Sequence, residues 1–306
     1  MRRKMRFGRV LTTVVATLAV ALATTACGSE RSSSSGGSGS GDDKTITIGV
    51  LQGWTEDVAA TYLWKQVLEE KGYTVSIKEL SEPGPLFQGL SGGDIDLFLD
   101  TWLPITHEPY VEKQGDKIED LGVWYDNAKL TIAVPEYVDV TSIADLKGKA
   151  DMFGGEIVGI EPGAGLTRVT KEEAMPGYGL DGEYTLRTSS SPAMLAALKD
   201  AVDAKKPIVV TLWRPHWAYA AYPIKDLEDP KGLMGDAEEI HTYARAGFSK
   251  DFPDVAKWLG GFTMTDEQLG SLEDLMVNEY GEGKEAEAVA AWIKENADYV
   301  ASLTGK

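Results

Sequence analysis

TITIGVLQGWTEDVAATYLWKQVLEEKGYTVSIKELSEPGPLFQGLSGGDIDLFL, residues 45–99, decides the fold because strand-like and helix-like stretches alternate along it. Three runs are typical of strands: Thr45–Val50, Tyr73–Leu80 and Ile95–Leu99. Two stretches are typical of helices: Asp57–Glu70, which ends before Gly72, and Pro83–Leu90, which begins at a proline. The segment therefore predicts a βαβαβ unit. Such a unit forms a parallel sheet with a ligand crevice at the carboxyl ends of its strands.

The alternation repeats further along the chain. Strands are predicted at Ile157–Ile160, Tyr184–Arg187 and Pro207–Leu212. Helices are predicted after the loop that starts at Gly163 and after the Ser191-Pro192 pair. The repeat predicts a second α/β lobe of similar construction.

Two extended segments, Leu130–Val138 and Glu239–Gly247, lie between these blocks and are predicted to connect the lobes. Residues 44–132 and 242–306 are assigned to lobe 1, and residues 133–241 to lobe 2. The end of the chain from Pro253 is predicted to be helical, with Thr265 capping one of its helices.

The first residues are predicted to be a cleaved signal peptide. MRRKMRFGRV carries five basic residues and no acid, and the apolar stretch Val10–Leu22 is too short to span a bilayer. The single cysteine, Cys27, follows Thr24-Thr25-Ala26, the position at which a bacterial lipoprotein is cleaved and lipidated. We therefore expect residues 1–27 to be a signal peptide with a lipobox. The Ser/Gly-rich stretch 28–43 is expected to be a flexible tether that holds the protein at the extracytoplasmic face of the cell membrane.

Charge and composition exclude several classes of function. The chain has 30 basic and 48 acidic residues, for a net charge of −18, and loss of the signal segment leaves about −23. A nucleic-acid-binding protein needs basic surface against phosphate, so that class is excluded. The three histidines, His107, His216 and His241, show no metal-ligand spacing, and no cofactor motif is present. We therefore predict neither a metal nor a cofactor.

Three of the eight tryptophans stand next to predicted strands: Trp54 in LQGWTED, Trp102 in FLDTWLP and Trp213 in VVTLWRPHW. Each comes just past an apolar run. Large flat rings at strand exits are candidate walls of a ligand cleft, and packing in the core is the alternative.

Seven collinear strings, GWTED, DIDLFLDTWLPITH, DNAKLTIAVPEYV, GIEPGAG, SSSPAMLAAL, KKPIVVTLWRPHW and LEDPKG, resemble the glycine betaine/proline betaine binding family of ABC transporters. The resemblance runs from Ile46 to the end of the chain. It implies a two-lobed, type II periplasmic-binding-protein-like α/β fold, with mainly parallel sheets and a hinge of two crossing segments. It also implies a monomeric, lipid-anchored protein that captures a small zwitterion such as glycine betaine and delivers it to a permease and its ATPase.

The same resemblance implies the site. In the family, three tryptophans surround a quaternary ammonium group, and the matching residues are Trp54, Trp102 and Trp213. The ligand carboxylate would be held by His216 and by the backbone N–H groups of Gly165 and Leu166. Glu56 and Trp217 are candidates for a secondary role.

Three alternatives stay open: another quaternary ammonium ligand, an exported hydrolase, and a structural lipoprotein without a ligand. Choline-binding relatives carry a fourth aromatic near the position of Leu130, which is aliphatic here, so a carboxylated betaine is favoured over choline or carnitine. Glu56 keeps choline as an alternative because an acid there could accept the proton of its alcohol. An exported hydrolase is the competing class, but no nucleophile elbow or phosphate loop supports an enzyme.

Overall fold

The computed structural model describes residues 44–305. The predicted signal peptide, the lipobox at Cys27 and the tether 28–43 lie outside these residues. Within them the strands are β1 Thr45–Leu51, β2 Thr74–Leu80, β3 Leu97–Leu103, β4 Ile118–Pro135, β5 Glu156–Val158, β6 Thr185–Arg187, β7 Val210–Arg214, β8 Ile224–Asp226 and β9 Glu238–Arg245.

The helices of the described part are α1 Thr55–Glu70, α2 Pro83–Gly92, α3 Glu108–Gln114, α4 Gly165–Val169, α5 Met175–Tyr178, α6 Ser191–Asp203, α7 Ala218–Ala221, α8 Phe248–Asp251, α9 Pro253–Leu259, α10 Asp266–Asp274, α11 Glu285–Glu295 and α12 Ala297–Ser302. A π-helical turn, Thr170–Ala174, joins α4 to α5, and a second, Leu275–Tyr280, follows α10. Short 3-10 turns occupy Gly115–Lys117, Ile143–Leu146 and Ala150–Phe153.

The strands form two sheets that share β4. The first sheet has the order β2-β1-β3-β9-β4, in which β2, β1 and β3 are parallel and β9 is antiparallel to both of its neighbours. The second sheet has the order β4-β7-β5-β6, with β7, β5 and β6 parallel and β8 added antiparallel to β4. We refer to the parts built on these sheets as the first half and the second half.

The predicted βαβαβ unit is confirmed, because β1, α1, β2, α2 and β3 follow one another with β1 at the centre of a parallel trio. Helix α1 buries one face against this sheet, including Leu63, Trp64 and Leu68. Trp64 packs edge-on against Phe262, with ring centroids 5.4 Å apart. The capping box predicted at Thr265 is also present at the start of α10.

Strand β4 is longer than the sequence indicates. The prediction began the connecting segment at Leu130, whereas the strand begins at Ile118 and pairs with β9 as far as Ala128. From Lys129 onwards its partner is β7. Residues from Lys44 onwards form one compact unit, so the lobe boundaries assigned above stay a prediction.

Two of the three tryptophans lie inside strands and not past their ends, which corrects the prediction. Pairing with β9 extends β3 beyond Leu99, so that Trp102 faces Ile240 across the ladder. Pairing with β4 extends β7 in the same way and sets Trp213 opposite Leu130. Only Trp54 lies beyond its strand, as the N-cap residue of α1.

Candidate functional site

A cavity lies between the two halves. Its lining residues come from both sheets and from the loops that follow their strands: Trp54, Glu56, Trp102, Thr106, His107, Leu130, Ile160, Ala164, Gly165, Leu166 and Trp213. The structure therefore brings the three predicted tryptophans together with Glu56, Gly165 and Leu166. His216 and Trp217 are not among the lining residues.

Trp54 is held from both halves of the molecule. Its ring stacks on His107 with centroids 5.6 Å apart and an interplanar angle of 20°. Its indole N–H donates to Oε2 of Glu161, in the second half, at 3.3 Å. Glu161 is itself fixed by the backbone N–H and hydroxyl of Ser191 at the start of α6.

Trp102 is fixed within the first half. Its indole N–H donates to Oδ1 of Asp100 at 2.7 Å, and its backbone N–H donates to Nδ1 of His107 at 2.9 Å. Residues two apart in a strand project from the same face, which places Asp100 beside the ring. Burial lowers the pKa of His107 to about 3, with Arg168 acting in the same direction, so this imidazole is neutral and free to accept.

Trp213 and His216 form a third group of rings. The imidazole of His216 meets Trp213 edge-on, with centroids 4.6 Å apart, and stacks on Trp217 at 5.5 Å. Burial lowers the pKa of His216 to about 3, and its Nδ1 accepts from the backbone N–H of Ala218 at 3.1 Å. His216 is absent from the cavity lining, so its contact with the ligand carboxylate stays a prediction, and its observed contact is the edge-on one with Trp213.

The opposite wall of the cavity is the start of α4. Ala164 caps the helix, and Arg168 N–H is the first to donate within it, to the carbonyl of Ala164 at 3.1 Å. Helix geometry leaves the N–H groups before Arg168 without intrahelical acceptors. The backbone N–H groups of Gly165 and Leu166 are therefore available at a cavity wall that also carries the positive end of the helix dipole.

Glycine is required at position 165 by the approach of the two halves. A Cβ there would stand 2.3 Å from the carbonyl oxygen of Thr106, which belongs to the first half. Beside this contact, Arg168 donates to the carbonyl oxygen of Ile105 at 2.7 Å. The helix start and the loop after β3 are therefore packed directly against each other.

A group of buried acids includes Glu56, which lines the cavity, and Asp100, which binds Trp102. Burial raises the pKa of Glu56 well above its usual value, and the carboxylates of Asp100 and Glu273 raise it further. Burial raises the pKa of Asp100 to about 7, against the effect of the hydrogen bond from Trp102. Burial raises the pKa of Glu273 to about 8, although the backbone N–H of Trp217 opposes this and Asp100 adds to it. Part of this group is therefore protonated at neutral pH.

Sequence reasoning missed several of these residues. Thr106 and Ile160 line the cavity, Glu161 binds Trp54, and Glu273 reaches the acidic group from α10. Glu161 belongs to the string GIEPGAG, but nothing in that string indicates that its carboxylate binds the indole N–H of Trp54. Glu273 lies in an acidic stretch typical of a solvated helix face, and nothing in its spacing indicates burial.

Residues 44–295 match the family model described as the substrate-binding domain of ABC-type glycine betaine transport systems. A glycine betaine/carnitine transport binding protein, GbuC of Listeria monocytogenes serotype 1/2a (strain 10403S), is 41% identical over 168 residues. That match covers 54% of this chain and 55% of the relative, so the chain spans about half the length of this curated relative.

Two solved structures cover nearly all of the described residues. ProX of Borrelia burgdorferi, a glycine betaine/L-proline-binding protein, has 35% identity and a TM-score of 0.79 over 86% of this chain and 97% of that chain. Lactococcal OpuAC in its closed conformation with glycine betaine has 32% identity and a TM-score of 0.78 over 86% of this chain and 100% of that chain.

The chain belongs to the family of substrate-binding domains of ABC-type glycine betaine transport systems. The predicted two-lobed α/β fold of the periplasmic-binding-protein type is confirmed by the same similarity. The family is a transport component and not an enzyme, which excludes the competing hydrolase interpretation.

Residues 44–305 also lack two features, a membrane-spanning helix and a metal-binding cluster. None of their helices combines the length and apolar character needed to cross a bilayer. Among the same residues, no three side chains of the His, Cys, Asp and Glu types are arranged to hold a metal ion.

The raised pKa of Glu273 predicts a stability that depends on pH. A glutamate in an unfolded chain titrates near pH ~4.3, whereas the pKa of Glu273 in the folded protein is about 8. The folded state thus binds more protons between these values, and its stability falls as pH rises through about 8. Glu273→Gln is uncharged at every pH. We expect this variant to match the wild type at pH 5 and to exceed its stability at pH 9, as measured by denaturant midpoints without ligand.

Glu267→Gln is the matched control, because Glu267 lies on the same helix and is exposed. It should keep the pH dependence of the wild type. A Glu273→Gln protein whose midpoint falls with pH as steeply as that of the wild type would contradict the assignment.

Proposed function

We propose that the protein captures glycine betaine, or a close betaine, in the cavity between its halves and delivers it to the permease of an ABC importer. One observation carries the proposal: three indole rings and the start of α4 line the same cavity. The relatives named for glycine betaine support it further.

The rings suit the cationic end of such a ligand. A trimethylammonium group has no N–H to donate, so hydrogen bonding cannot select it, whereas the negative face of an indole attracts it. Each contact contributes about 0.5–1 kcal/mol when exposed and ~2 kcal/mol or more when desolvated. Trp54, Trp102 and Trp213 are all buried. Three desolvated contacts would supply most of the −8 kcal/mol or so that corresponds to micromolar binding.

The start of α4 suits the anionic end. Unpaired N–H groups and the positive end of a helix can bind a carboxylate without a positively charged side chain. Gly165 and Leu166 would be its partners, and His216 is a third candidate from the second half. Gripping both ends of one zwitterion from opposite walls would stabilise the closed form of the protein, which is the state that a permease can distinguish.

Choline is the second candidate, and carnitine is a third of the same class. Glu56 lines the cavity, is buried, and has an Oε2 atom without a hydrogen-bond partner among the described residues. That atom could accept a hydrogen bond from the hydroxyl group of choline. Leu130 argues the other way, because it places an aliphatic side chain where choline-binding relatives are expected to carry a fourth aromatic ring.

We also propose the setting in which the protein acts. After cleavage before Cys27, a lipid on that residue and the tether 28–43 would hold a monomeric binding domain at the extracytoplasmic face. There it would meet the permease, whose ATPase lies on the other side of the membrane. The net charge of about −23 that remains after loss of the signal segment argues against direct adhesion to anionic lipid, and a covalent anchor would hold the protein at the membrane without it.

Trp213→Ala tests the cage. The protein is first refolded to remove carried ligand and is then titrated with glycine betaine in a calorimeter. The wild type should give a measurable heat of binding. The variant should bind at least tenfold more weakly, because a desolvated cation–π contact is lost. Proline betaine, carnitine and choline are titrated in parallel to establish the preference. Trp258→Ala, which removes a half-buried ring on α9 that does not line the cavity, should change affinity less than twofold. A flat titration of the wild type with all four compounds would refute the proposed function.

Gly165→Ala tests closure around the ligand. Its methyl group would meet the Thr106 carbonyl oxygen unless the halves stay apart, so betaine affinity should fall at least tenfold while the unfolding midpoint without ligand is retained. Gly270→Ala on α10 is the control, since a methyl group there meets nothing within 4 Å. Equal affinities for both variants and the wild type would show that the contact at Gly165 is not needed for binding.

Cys27→Ser tests the anchor. The wild type should fractionate with membranes and carry the mass of a lipid on its first residue, and the variant should be recovered without either property. A wild-type protein that carries no lipid would contradict this part of the proposal and leave the ligand site unaffected.

A further inference from the structure

The indole N–H groups of the cavity point to carboxylates. Trp102 donates to Oδ1 of Asp100 at 2.7 Å, and Trp54 donates to Oε2 of Glu161 at 3.3 Å. The indole N–H of Trp213 has no partner of normal geometry in residues 44–305, but this ring shares the cavity lining with Glu56. Two of the three rings are thus bound at their edge by an acid.

Buried tryptophans elsewhere behave differently. Trp124 donates to the backbone carbonyl of Leu99 at 2.5 Å, and Trp292 donates to the hydroxyl of Ser271 at 2.9 Å. Trp64 finds no acceptor among the described residues. A neutral acceptor, or none, is therefore sufficient for a buried indole in this fold, and the acidic acceptors are confined to rings that line the cavity.

An acidic acceptor changes what the face of the ring can do. The edge of an indole is the positive part of its quadrupole and the face is the negative part. A carboxylate at the N–H edge forms a strong, charge-assisted hydrogen bond and places negative charge in the plane of the ring. In a low-dielectric interior this charge is felt by a cation over the face, and the hydrogen bond also fixes the ring plane.

The position of Asp100 offers its carboxylate few stabilising interactions besides the hydrogen bond from Trp102. Its side chain is fully buried, and Oδ2 has no hydrogen-bond partner among residues 44–305. Burying a carboxylate is costly, and its nearest titratable neighbours, Glu56 and Asp57 on α1 and Glu273 on α10, are acids as well. The bond to Trp102 is the one hydrogen bond that the side chain makes within the described part of the chain.

We propose that Asp100 is a positioning residue for the quaternary ammonium cage, which fixes the ring of Trp102 by its N–H edge and makes the face of that ring more negative. Glu161 would do the same for Trp54 across the two halves. The inference rests on the proposed function and deepens it, because it names groups that never touch the ligand and yet determine its affinity.

The first test separates charge from shape. Asp100→Asn keeps an oxygen that can accept from Trp102 and removes the charge. Full-length protein, refolded without ligand and studied at pH 8, above the Asp100 pKa of about 7, is titrated with glycine betaine and with 3,3-dimethylbutanoate. The latter has the same shape with a neutral tert-butyl group. The variant should bind betaine at least fivefold more weakly and should bind the tert-butyl isostere, which is an anion overall, within twofold of the wild type.

The second test is a double-mutant cycle with Trp102→Phe, which keeps an aromatic face and removes the N–H. Asp100→Asn should cost at least fivefold in betaine affinity in the wild-type background and less than twofold in the Trp102→Phe background. Asp57→Asn is the matched control. It removes an equally buried carboxylate that accepts from Leu51 N–H and Thr61 and from no indole, and it should change betaine affinity less than twofold.

Several outcomes would overturn the inference. These are an unchanged betaine affinity in Asp100→Asn, equal weakening of betaine and isostere, the same loss in both backgrounds of the cycle, or an equal loss in Asp57→Asn. If Asp100→Asn fails to unfold cooperatively, Glu161→Gln and Trp54→Phe carry the same cycle with the same criteria. A wild-type protein that binds no quaternary ammonium compound would refute the proposed function as well, whereas normal betaine binding with any of the outcomes above would refute this inference alone.

Discussion

Strand β4 hydrogen-bonds to β9 as far as Ala128 and to β7 from Lys129, and this change of partner is the constraint on which the cavity depends. One continuous strand thereby fixes two sheets side by side. Leu130, just beyond the change, lies opposite Trp213 in the ladder and lines the cavity with it. Because β9 also pairs with β3, Trp102 is brought to the same seam through a second strand. Backbone pairing thereby brings Trp102 and Trp213 to the cavity, whereas Trp54 reaches it from the N-cap position of α1.

The histidines and several acids near the three rings are neutral or partly protonated close to neutral pH. Two histidines near the rings are neutral, because burial lowers the pKa of each to about 3. Burial also raises the pKa of Asp100 to about 7 and that of Glu273 to about 8, so the charge of this acidic group changes with pH close to neutrality. If Asp100 and Glu161 act on the indole edges as proposed, the chain tunes the ring faces without adding a charged contact to the ligand.

The sequence predicted the first βαβαβ unit well, because apolar runs and amphipathic helices there are long and end at turn residues such as Gly72. It predicted the meeting of the three tryptophans only through the resemblance to a known family, since no periodicity relates Trp54 to Trp213. The predicted strand ends were wrong where pairing with a strand distant in sequence extends the strand. This is the case for the first part of β4 and for the end of β3 at Leu103. The edge-on contact of His216 with Trp213 and the burial of Glu273 depend on tertiary packing, which local pattern does not contain.

The bond between Trp54 and Glu161 joins groups on opposite sides of the seam. A separation of the halves would exchange that buried carboxylate for water at the indole of Trp54, whereas Trp102 would keep Asp100 because both residues belong to one strand. The surroundings of the two rings would then change unequally. The emission of Trp54 would report such an opening, with Trp102 as the ring whose hydrogen bond is unchanged.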